Sequence, residues 1–143
     1  MHHYPFHFSF LVKDIESTRK FYLYVLGCKE GRSTDTWVDF DFYGNQLSCH
    51  VNDLIPEPIY CGFVDQVVVP IPHFGCVLPW EEFYNLAQKI EENKIEFIIK
   101  PTVRYVGEPG EQATMFLQDY SGNSLEFKSY RNPEHMFTIH TKV

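Results

Sequence analysis

An internal repeat constrains the fold of this chain more than any other feature of its sequence. Residues 41–48 match residues 119–126, with Asp, Gly, Asn and Leu in register. Residues 7–12 in turn resemble residues 73–78, and a helix-like segment follows each of these two runs. A unit that is used twice predicts two copies of one supersecondary motif, which bury a shared apolar core.

Each copy is predicted to consist of a strand, a helix and about three further strands. In the first copy, apolar residues from Ile15 to Leu26 recur at helical spacing, while Asp14 can cap this helix and Gly27 can end it. In the second copy, a helix with the same spacing follows Pro79. Strands outnumber helices in this pattern, which predicts an α+β fold made of paired βαβββ modules.

The domain boundaries follow from the repeat and from the proline positions. The chain of 143 residues is expected to form a single domain. Module one covers about residues 6–52, a proline-containing linker about 53–70, module two about 71–130, and a tail 131–143. Within module two, the Pro- and Gly-containing segment 100–112 is predicted to be a loop that carries extra residues.

Charge and cysteine spacing exclude several partners and sites. The formal net charge of −7 argues against a nucleic-acid or anionic-membrane partner. No run is long enough to span a membrane, and the N-terminus lacks the features of a signal peptide. The four cysteines include no C-x-x-C pair. We therefore expect reduced thiols in a cytoplasmic protein, without a zinc–cysteine site.

Glu126 lies between apolar residues in the middle of a predicted strand, where an unpaired carboxylate is expensive to bury. His7 and His73 occupy equivalent positions in the two copies of the repeat. A single histidine in an apolar strand is more often a core residue than a metal ligand, but two at equivalent positions are harder to explain in that way. Two imidazoles and a carboxylate suit a divalent transition metal, so the repeat indicates metal binding.

With these features the chain resembles the vicinal oxygen chelate superfamily, which includes glyoxalase I, extradiol dioxygenases, and the fosfomycin and bleomycin resistance proteins. Residues 119–126 match that family's final hairpin, Asp-Pro-x-Gly-Asn-x-(apolar)-Glu, with Tyr120 where proline is usual. The resemblance covers residues 6 to about 130 and does not select one member. It implies a curved mixed sheet around a metal-binding cleft and, as is common in the family, a homodimer.

The resemblance also implies the metal ligands. Carried over by position, they are His7, His73 and Glu126, and the fourth ligand position falls on Ser48. Serine is a poor ligand, so the implied site has three protein ligands and a vacancy for a small-molecule substrate. We expect Fe(II) or Mn(II), with Ni(II) or Zn(II) as alternatives.

Two residues on the strand of Ser48 are candidates for contact with the substrate. His50 and Gln46 share the face of Ser48, each about 6.6 Å away along the strand. His50 is a candidate catalytic base because imidazole exchanges protons near neutral pH, although a solvated strand-end histidine is an equal alternative. Gln46 can lean toward the metal or toward the substrate.

Arg104 and Tyr105 belong to the predicted loop and are the remaining candidates for substrate binding. The loop can overhang the cleft, where Arg104 can hold an anionic substrate through paired hydrogen bonds. A loop that is simply solvated is the alternative.

Three functions remain open, and they are ranked by how they use position 48. The implied three-ligand site resembles that of an extradiol dioxygenase. The substrate of such an enzyme would bind the open metal positions through two adjacent oxygens. A glyoxalase-like lyase or isomerase ranks second, since it holds its metal with a carboxylate from each half and Ser48 stands at one of these positions. A sequestering protein of the bleomycin-resistance kind ranks third, because it needs no metal and leaves the three ligands unexplained.

Overall fold

This computed structural model describes residues 3–64 and 66–139. The chain divides into two compact units, of which the first comprises Met1–Ile71 with Asp119–Asn123 and the second Pro72–Gln118 with Ser124–Val143. The expected boundaries of one domain, with modules at about 6–52 and 71–130, stay a prediction. No helix among the described residues is long and apolar enough to cross a membrane.

The first unit contains one helix and a four-stranded mixed sheet. Its elements are β1 (His7–Val12), α1 (Ile15–Arg19) with a π-helical continuation (Lys20–Val25), β2 (Lys29–Ser33), β3 (Trp37–Phe42) and β4 (Asn45–Val51). The strand order is β1-β4-β3-β2, with β1 parallel to β4 and the other neighbours antiparallel. This is the βαβββ unit that the repeat predicts.

The helix of the first unit begins and ends where its sequence indicates. Oδ1 of Asp14 accepts a hydrogen bond from the N–H of Ser17 at 2.6 Å, and this bond lowers the pKa of Asp14. The π-helical continuation carries two consecutive aromatics, Phe21 and Tyr22, which are both fully buried in the core. Gly27 follows with a φ of 76°, a conformation that favours glycine.

An antiparallel hairpin occupies much of the segment predicted to be a linker. Its strands are β5 (Ile59–Val64) and β6 (Val67–Ile71). Pro56 and Pro58 suggested a linker, but both precede β5, and the residues after them are the β-branched and aromatic types that favour strands. Several of its apolar side chains are exposed, among them Ile59 at 68% and Phe63 at 74%.

The second unit repeats the same arrangement. Its elements are β7 (Phe74–Val77), α2 (Trp80–Glu92), β8 (Phe97–Arg104), β9 (Gln112–Gln118), β10 (Ser124–Tyr130) and a short 3-10 helix (Pro133–His135). The strand order is β7-β10-β9-β8, with β7 parallel to β10. The helix α2 packs against β10 through a buried apolar face. The α+β class and the paired βαβββ modules are confirmed.

The predicted loop at 100–112 is wrong in its first half, because β8 continues to Arg104. Pro101 lies where the register between β8 and β9 shifts, and such an irregularity tolerates a residue without an N–H. The loop therefore covers only residues 105–111. Glu111, the last residue of this loop, accepts hydrogen bonds from the N–H of Gly107 within the loop and from Nε of Arg131, each at 2.9 Å.

The turn between β9 and β10 is fixed by the repeated Asp-x-x-Gly-Asn pattern. Asp119 accepts hydrogen bonds from the N–H groups of Ser121 and Asn123 and from the hydroxyl of Tyr22, the last at 2.8 Å. Nδ2 of Asn123 donates to the carbonyl of Leu11 at 2.9 Å. Burial raises the pKa of Asp119 above its usual value, although these hydrogen bonds offset part of that increase. The motif therefore fixes the conformation of the turn through its own hydrogen bonds.

Candidate functional site

His73 and Glu126 form a close pair in the second unit. His73 precedes β7 by one residue, and its Nε2 lies 3.1 Å from Oε2 of Glu126 in β10. Phe116 of β9 contacts the imidazole ring at an interplanar angle of 81°, with ring centroids 5.0 Å apart. The two side chains are 22% and 16% exposed. An imidazole and a carboxylate thus meet at a position largely shielded from water.

Thr114 orients the other oxygen of this carboxylate. Its Oγ1 donates to Oε1 of Glu126 at 2.8 Å, and Thr114 is almost fully buried. Burial raises the pKa of Glu126, but the hydrogen bonds from His73 and Thr114 and the charge of Lys128 outweigh it, so the pKa lies below its usual range. Glu126 is therefore ionised at neutral pH, which is the form that binds a metal.

Gly75 allows the pair to form. It lies opposite Glu126 in the parallel pairing of β7 with β10, and a Cβ at this position would clash with the backbone carbonyl of Glu126. Without a side chain here, the two strands approach closely. His73, two residues earlier on the same face, can then reach the carboxylate.

The distance between these two groups fits two ligands of one metal ion. Ligands at right angles, each about 2.1 Å from an ion, lie about 3 Å apart. His7, the third predicted ligand, belongs to the first unit and is exposed at the start of β1. Within residues 3–64 and 66–139, no group of three or more His, Cys, Asp or Glu side chains is placed to hold a metal ion. The structure brings together two of the predicted ligands, and the full set stays a prediction.

The non-core face of the first sheet carries most of the other predicted residues. Strand register aligns its side chains in three rows across β1, β4 and β3. The rows are His7, Gln46 and Asp41; then Ser9, Ser48 and Asp39; then Leu11, His50 and Trp37. Gln46, Ser48 and His50 therefore share one face, as predicted.

Ser48 forms a hydrogen bond with a carboxylate, that of Asp39, which the sequence analysis did not single out. Its Oγ donates to Oδ1 of Asp39 at 2.6 Å, and Nε2 of Gln46 lies 3.4 Å from Oδ2 of the same residue. Ser48 and Asp39 are each 8% exposed. The available signal was a carboxylate between apolar residues in mid-strand, which is the signal that singled out Glu126.

His50 lies in the row beyond Ser48. It is exposed, and its ring centroid is 6.4 Å from that of Trp37. This position is compatible with contact to a ligand on the sheet face and also with simple solvation. Its role as a base stays a prediction.

Arg104 and Tyr105 occupy positions unlike those expected. Arg104 is the last residue of β8, and its register with Gln112 and Tyr130 places it on the face of Glu126. That row lies four positions from Glu126 along β10, which is about 13 Å along the strand. Tyr105 begins the loop with a φ of 57° and is 43% exposed. Their roles in substrate binding stay predictions.

Each unit contains a cavity, but only one of them reaches predicted site residues. A cleft of about 410 Å³ in the first unit is lined in part by Gly31, Arg32, Asp39 and Gln46. A cavity of about 690 Å³ in the second unit lies between α2 and the start of β8. The described residues that line this larger cavity include none of the predicted site residues.

Comparisons with known proteins agree with the fold and the repeat. Residues 5–127 match the Glyoxalase/Bleomycin resistance protein/Dioxygenase superfamily. The chain is similar to the crystal structure of a glyoxalase/bleomycin resistance protein/dioxygenase from Alicyclobacillus acidocaldarius, with 31% identity, a TM-score of 0.74, and coverage of 94% of this chain and 96% of that one. No curated protein matches it.

Two further solved structures share the fold at lower identity. A fosfomycin resistance protein, FosX, from Listeria monocytogenes is 18% identical, with a TM-score of 0.66 over 90% of this chain and 94% of that one. A glyoxalase/dioxygenase from Nostoc punctiforme is also 18% identical, with a TM-score of 0.68 over 90% and 92%. The resemblance predicted from the repeat is confirmed, and the chain belongs to the glyoxalase/bleomycin resistance protein/dioxygenase superfamily.

Proposed function

We propose that this protein is a divalent-metal-dependent enzyme of the vicinal oxygen chelate type, a dioxygenase for a small aromatic compound with two adjacent oxygens. The observation that carries the proposal is the pair of His73 and Glu126, held 3.1 Å apart in a partly buried position. We propose His7 as the third ligand and Fe(II) or Mn(II) as the ion. When bound, the ion supplies the Lewis-acid and redox chemistry that protein side chains lack.

The engagement of Ser48 supports a site with three protein ligands. Its hydroxyl donates to Asp39 at 2.6 Å, so it is already used where a fourth ligand would stand. Three protein ligands leave positions open for the two adjacent oxygens of a substrate.

The remaining residues are proposed to bind substrate and move protons. His50 receives a proton from the substrate, and Gln46 donates hydrogen bonds from its amide to substrate oxygens. Arg104 and Tyr105 bind the more distant part of the substrate, with Arg104 pairing with an anionic group.

A glyoxalase-like lyase or isomerase is the second candidate, and one observation favours it. That chemistry uses a carboxylate from each half of the protein, and Asp39 places a carboxylate beside position 48. Ni(II) or Zn(II) would then be the ion. A sequestering protein is the third candidate, and it gives no reason for an ionised Glu126 oriented by Thr114.

One set of assays compares these functions. Oxygen uptake is measured with a panel of catechol-like compounds and Fe(II)-loaded protein, and hemithioacetal isomerisation is measured with Ni(II)- and Zn(II)-loaded protein. We expect oxygen uptake with at least one aromatic compound. Isomerase turnover without oxygen uptake would reject the dioxygenase in favour of the second candidate. No activity in either assay, together with tight metal-independent binding of an aromatic compound, would favour the sequestering protein.

Metal retention is tested separately from turnover. Glu126→Gln and His73→Ala should each lose most bound Fe(II) while remaining folded, because each removes one ligand from a cleft face. Glu82→Gln is the matched control, since Glu82 is an exposed carboxylate in the first turn of α2. Equal metal content in all three variants would reject the site.

Two further proposals concern the oligomeric state and the cellular location of the protein. We propose a homodimer, supported by the exposed apolar side chains of the β5–β6 hairpin. We also propose a cytoplasmic location, supported by four cysteines that are all free thiols.

A further inference from the structure

We infer that the cavity between α2 and the start of β8 is a second ligand site, which binds a small zwitterion with an aromatic side chain, of the size of a dipeptide. This site is separate from the proposed metal site. Phe97 lines the cavity and pairs with Leu117, which pairs with Leu125, so the cavity lies on the face of the second sheet that α2 covers. Glu126 follows Leu125 and therefore points to the opposite face.

The cavity has the size and the aromatic walls of a small-molecule site. Its volume is about 690 Å³, within the range of about 300–1,000 Å³ that is usual for ligand pockets. On the helix side it is lined by Tyr84, Ala87, Gln88 and Glu91, which follow the i, i+3, i+4, i+7 spacing of one helix face. Tyr84 is 39% exposed, and Phe97 lines the cavity on the strand side. These two rings can contact an aromatic side chain of a ligand.

Two irregularities in β8 bring side chains from both faces of the strand to the cavity. In a regular strand Phe97 and Lys100 would point to opposite faces, because side chains alternate. The register of β8 with β9 shifts between Phe97 and Ile99, and again between Ile99 and Thr102. Phe97 and Lys100 both line the cavity, together with Pro101. Bulges of this kind redirect side chains and are common beside functional sites.

Four charged side chains in the lining are available to a ligand. Two are the carboxylates of Glu91 and Glu96, and two are the ammonium groups of Lys94 and Lys100. Within residues 3–64 and 66–139, none of these four side chains forms an ion pair. Opposite charges that share a cavity without pairing can bind the two charged ends of one ligand. An extended dipeptide separates its ammonium and carboxylate groups by about 7 Å, whereas a single amino acid carries both on one carbon.

The backbone of Lys94 indicates that its side chain has a use at this position. Lys94 follows the C-cap of α2 with a φ of 57°, a left-handed conformation in which glycine is the usual residue. Its N–H donates to the carbonyl of Glu91 at 2.9 Å, and the N–H of Ile95 donates to the carbonyl of Ile90 at 3.2 Å. These hydrogen bonds end the helix without any contribution from the side chain at position 94. A lysine is more strained here than a glycine, and what it adds is a charge at the cavity.

The test measures the binding of two dipeptides, phenylalanyl-alanine and alanyl-phenylalanine, to the full-length protein by calorimetry. Each dipeptide is compared with its N-acetylated form, which lacks the ammonium group, and with its C-terminal amide, which lacks the carboxylate. Amide chemical shifts in NMR spectra locate the bound dipeptide. The variants are Lys94→Gly and Glu96→Gln. The matched control is Lys89→Gln, since Lys89 belongs to α2 but lies outside the lining of the cavity.

We expect at least one of the two dipeptides to bind to wild type and to Lys89→Gln, with shift changes centred on residues 84–101. Removal of either charge from the dipeptide should weaken binding by about 10-fold or more, because hydrogen bonds between charged groups are the stronger ones. Lys94→Gly should weaken binding of the free dipeptide to the same extent and leave binding of its amide unchanged. Glu96→Gln should weaken the free dipeptide and leave the N-acetylated form unchanged.

Loss of binding in Lys94→Gly is not expected to reflect a loss of fold. Glycine relieves the left-handed strain at position 94, which offsets its greater freedom in the unfolded chain, so the urea midpoint should equal or exceed that of wild type.

Three results would overturn the inference. The first is failure of wild type to bind either dipeptide at millimolar concentration. The second is equal binding of the free, N-acetylated and amidated forms, or equal affinities in wild type and both variants, because the charges of the lining would then not recognise the ligand. The third is a set of shift changes outside residues 84–101. These results leave the proposed dioxygenase untouched, because the lining contains none of the proposed metal ligands.

Discussion

A buried hydroxyl holds a mid-strand carboxylate in each of the two modules. Thr114 on β9 donates to Glu126 on β10, and Ser48 on β4 donates to Asp39 on β3. Hydrogen bonds to a charged group are stronger than those between neutral groups, and they fix its orientation. The same device thus fixes the orientation of one carboxylate in each module.

The first prediction concerns Thr114. Thr114→Val keeps the shape of the side chain and removes the hydroxyl that orients Glu126. Loss of such an outer partner lowers metal affinity by about 10–100-fold, which a competitive metal titration measures. Thr102→Val is the control, because Thr102 pairs with Thr114 across the strands but is exposed, and its hydroxyl donates to the carbonyl of Lys100. Equal affinity in both variants would show that Thr114 does not orient the ligand.

The second prediction concerns Asp14, which caps the first helix. The hydrogen bond from the N–H of Ser17 lowers the pKa of Asp14 from 3.8, so the charged form stabilises the folded state. This contribution is present above pH 3.8 and is lost as the pH falls through the lower pKa of the folded state. Asp14→Ala should reduce the free energy of unfolding at neutral pH by about 0.5–2 kcal/mol.

Asp14→Asn provides the control for that measurement, since asparagine caps a helix about as well but carries no charge. Urea unfolding is measured at neutral pH and near pH 3. Between neutral pH and about pH 3, wild type should lose stability relative to Asp14→Asn, because only the carboxylate of wild type loses its charge. A difference independent of pH would contradict the capping role of the charge.

At the scale of elements, β7 depends on one glycine. Gly75→Ala places a Cβ against the backbone carbonyl of Glu126, which cannot move as a flexible side chain can. The strands must separate, at a cost of about 1–3 kcal/mol in the free energy of unfolding, as for other overpacked sites. The same shift should reduce Fe(II) retention, because it moves His73 away from Glu126.

The control for this third prediction is Gly31→Ala, measured for stability only. Its Cβ would lie 3.4 Å from that of Asp39, an ordinary contact, so chemical unfolding should show little change. If Gly75→Ala is as stable as Gly31→Ala, the close approach of β7 to β10 is not required.

The repeat and the apolar periodicity predicted most of the elements, and local chemistry explains the exceptions. Asp14 and Gly27 bound the first helix as expected because capping depends on residues within one turn. Pro101 suggested a loop, but a change in register accommodates it within β8. That change depends on pairing with β9, which no single stretch of sequence displays.

The site was predictable only where position in the repeat carried information. His73 was identified because it matches His7 in the repeat, and Glu126 because it is a mid-strand carboxylate on the repeated hairpin. The structure brings the two side chains together. Asp39 was overlooked although it is also a carboxylate between apolar residues in mid-strand, because no equivalent of His73 accompanies it in the repeat. Its hydrogen bond to Ser48 depends on the pairing of β3 with β4, which is a property of strand register.

For the whole molecule, the β5–β6 hairpin is the most unusual surface. It is a separate two-stranded sheet, and a hairpin of this size is marginally stable in water by itself. Neither of its strands contains a charged residue, although the chain carries a net charge of −7. Exposed strand edges are normally protected by charges. A second copy of the chain would cover this apolar surface and stabilise the hairpin.

The last prediction tests that assembly. Phe63 and Val68 are paired across the hairpin and are 74% and 36% exposed, so replacing both with serine removes adjacent apolar side chains. We expect light scattering to give the mass of two chains for wild type, and the double variant to dissociate at concentrations at least about 10-fold higher, as for loss of one interface hot spot. Tyr24→Ser is the control, because Tyr24 is 68% exposed on the first helical segment. Circular dichroism confirms that all three proteins are folded. A monomeric wild type would reject the homodimer, and a dimer unaffected by the double variant would place its interface on another surface, because two serines cannot replace the apolar area that the hairpin would bury.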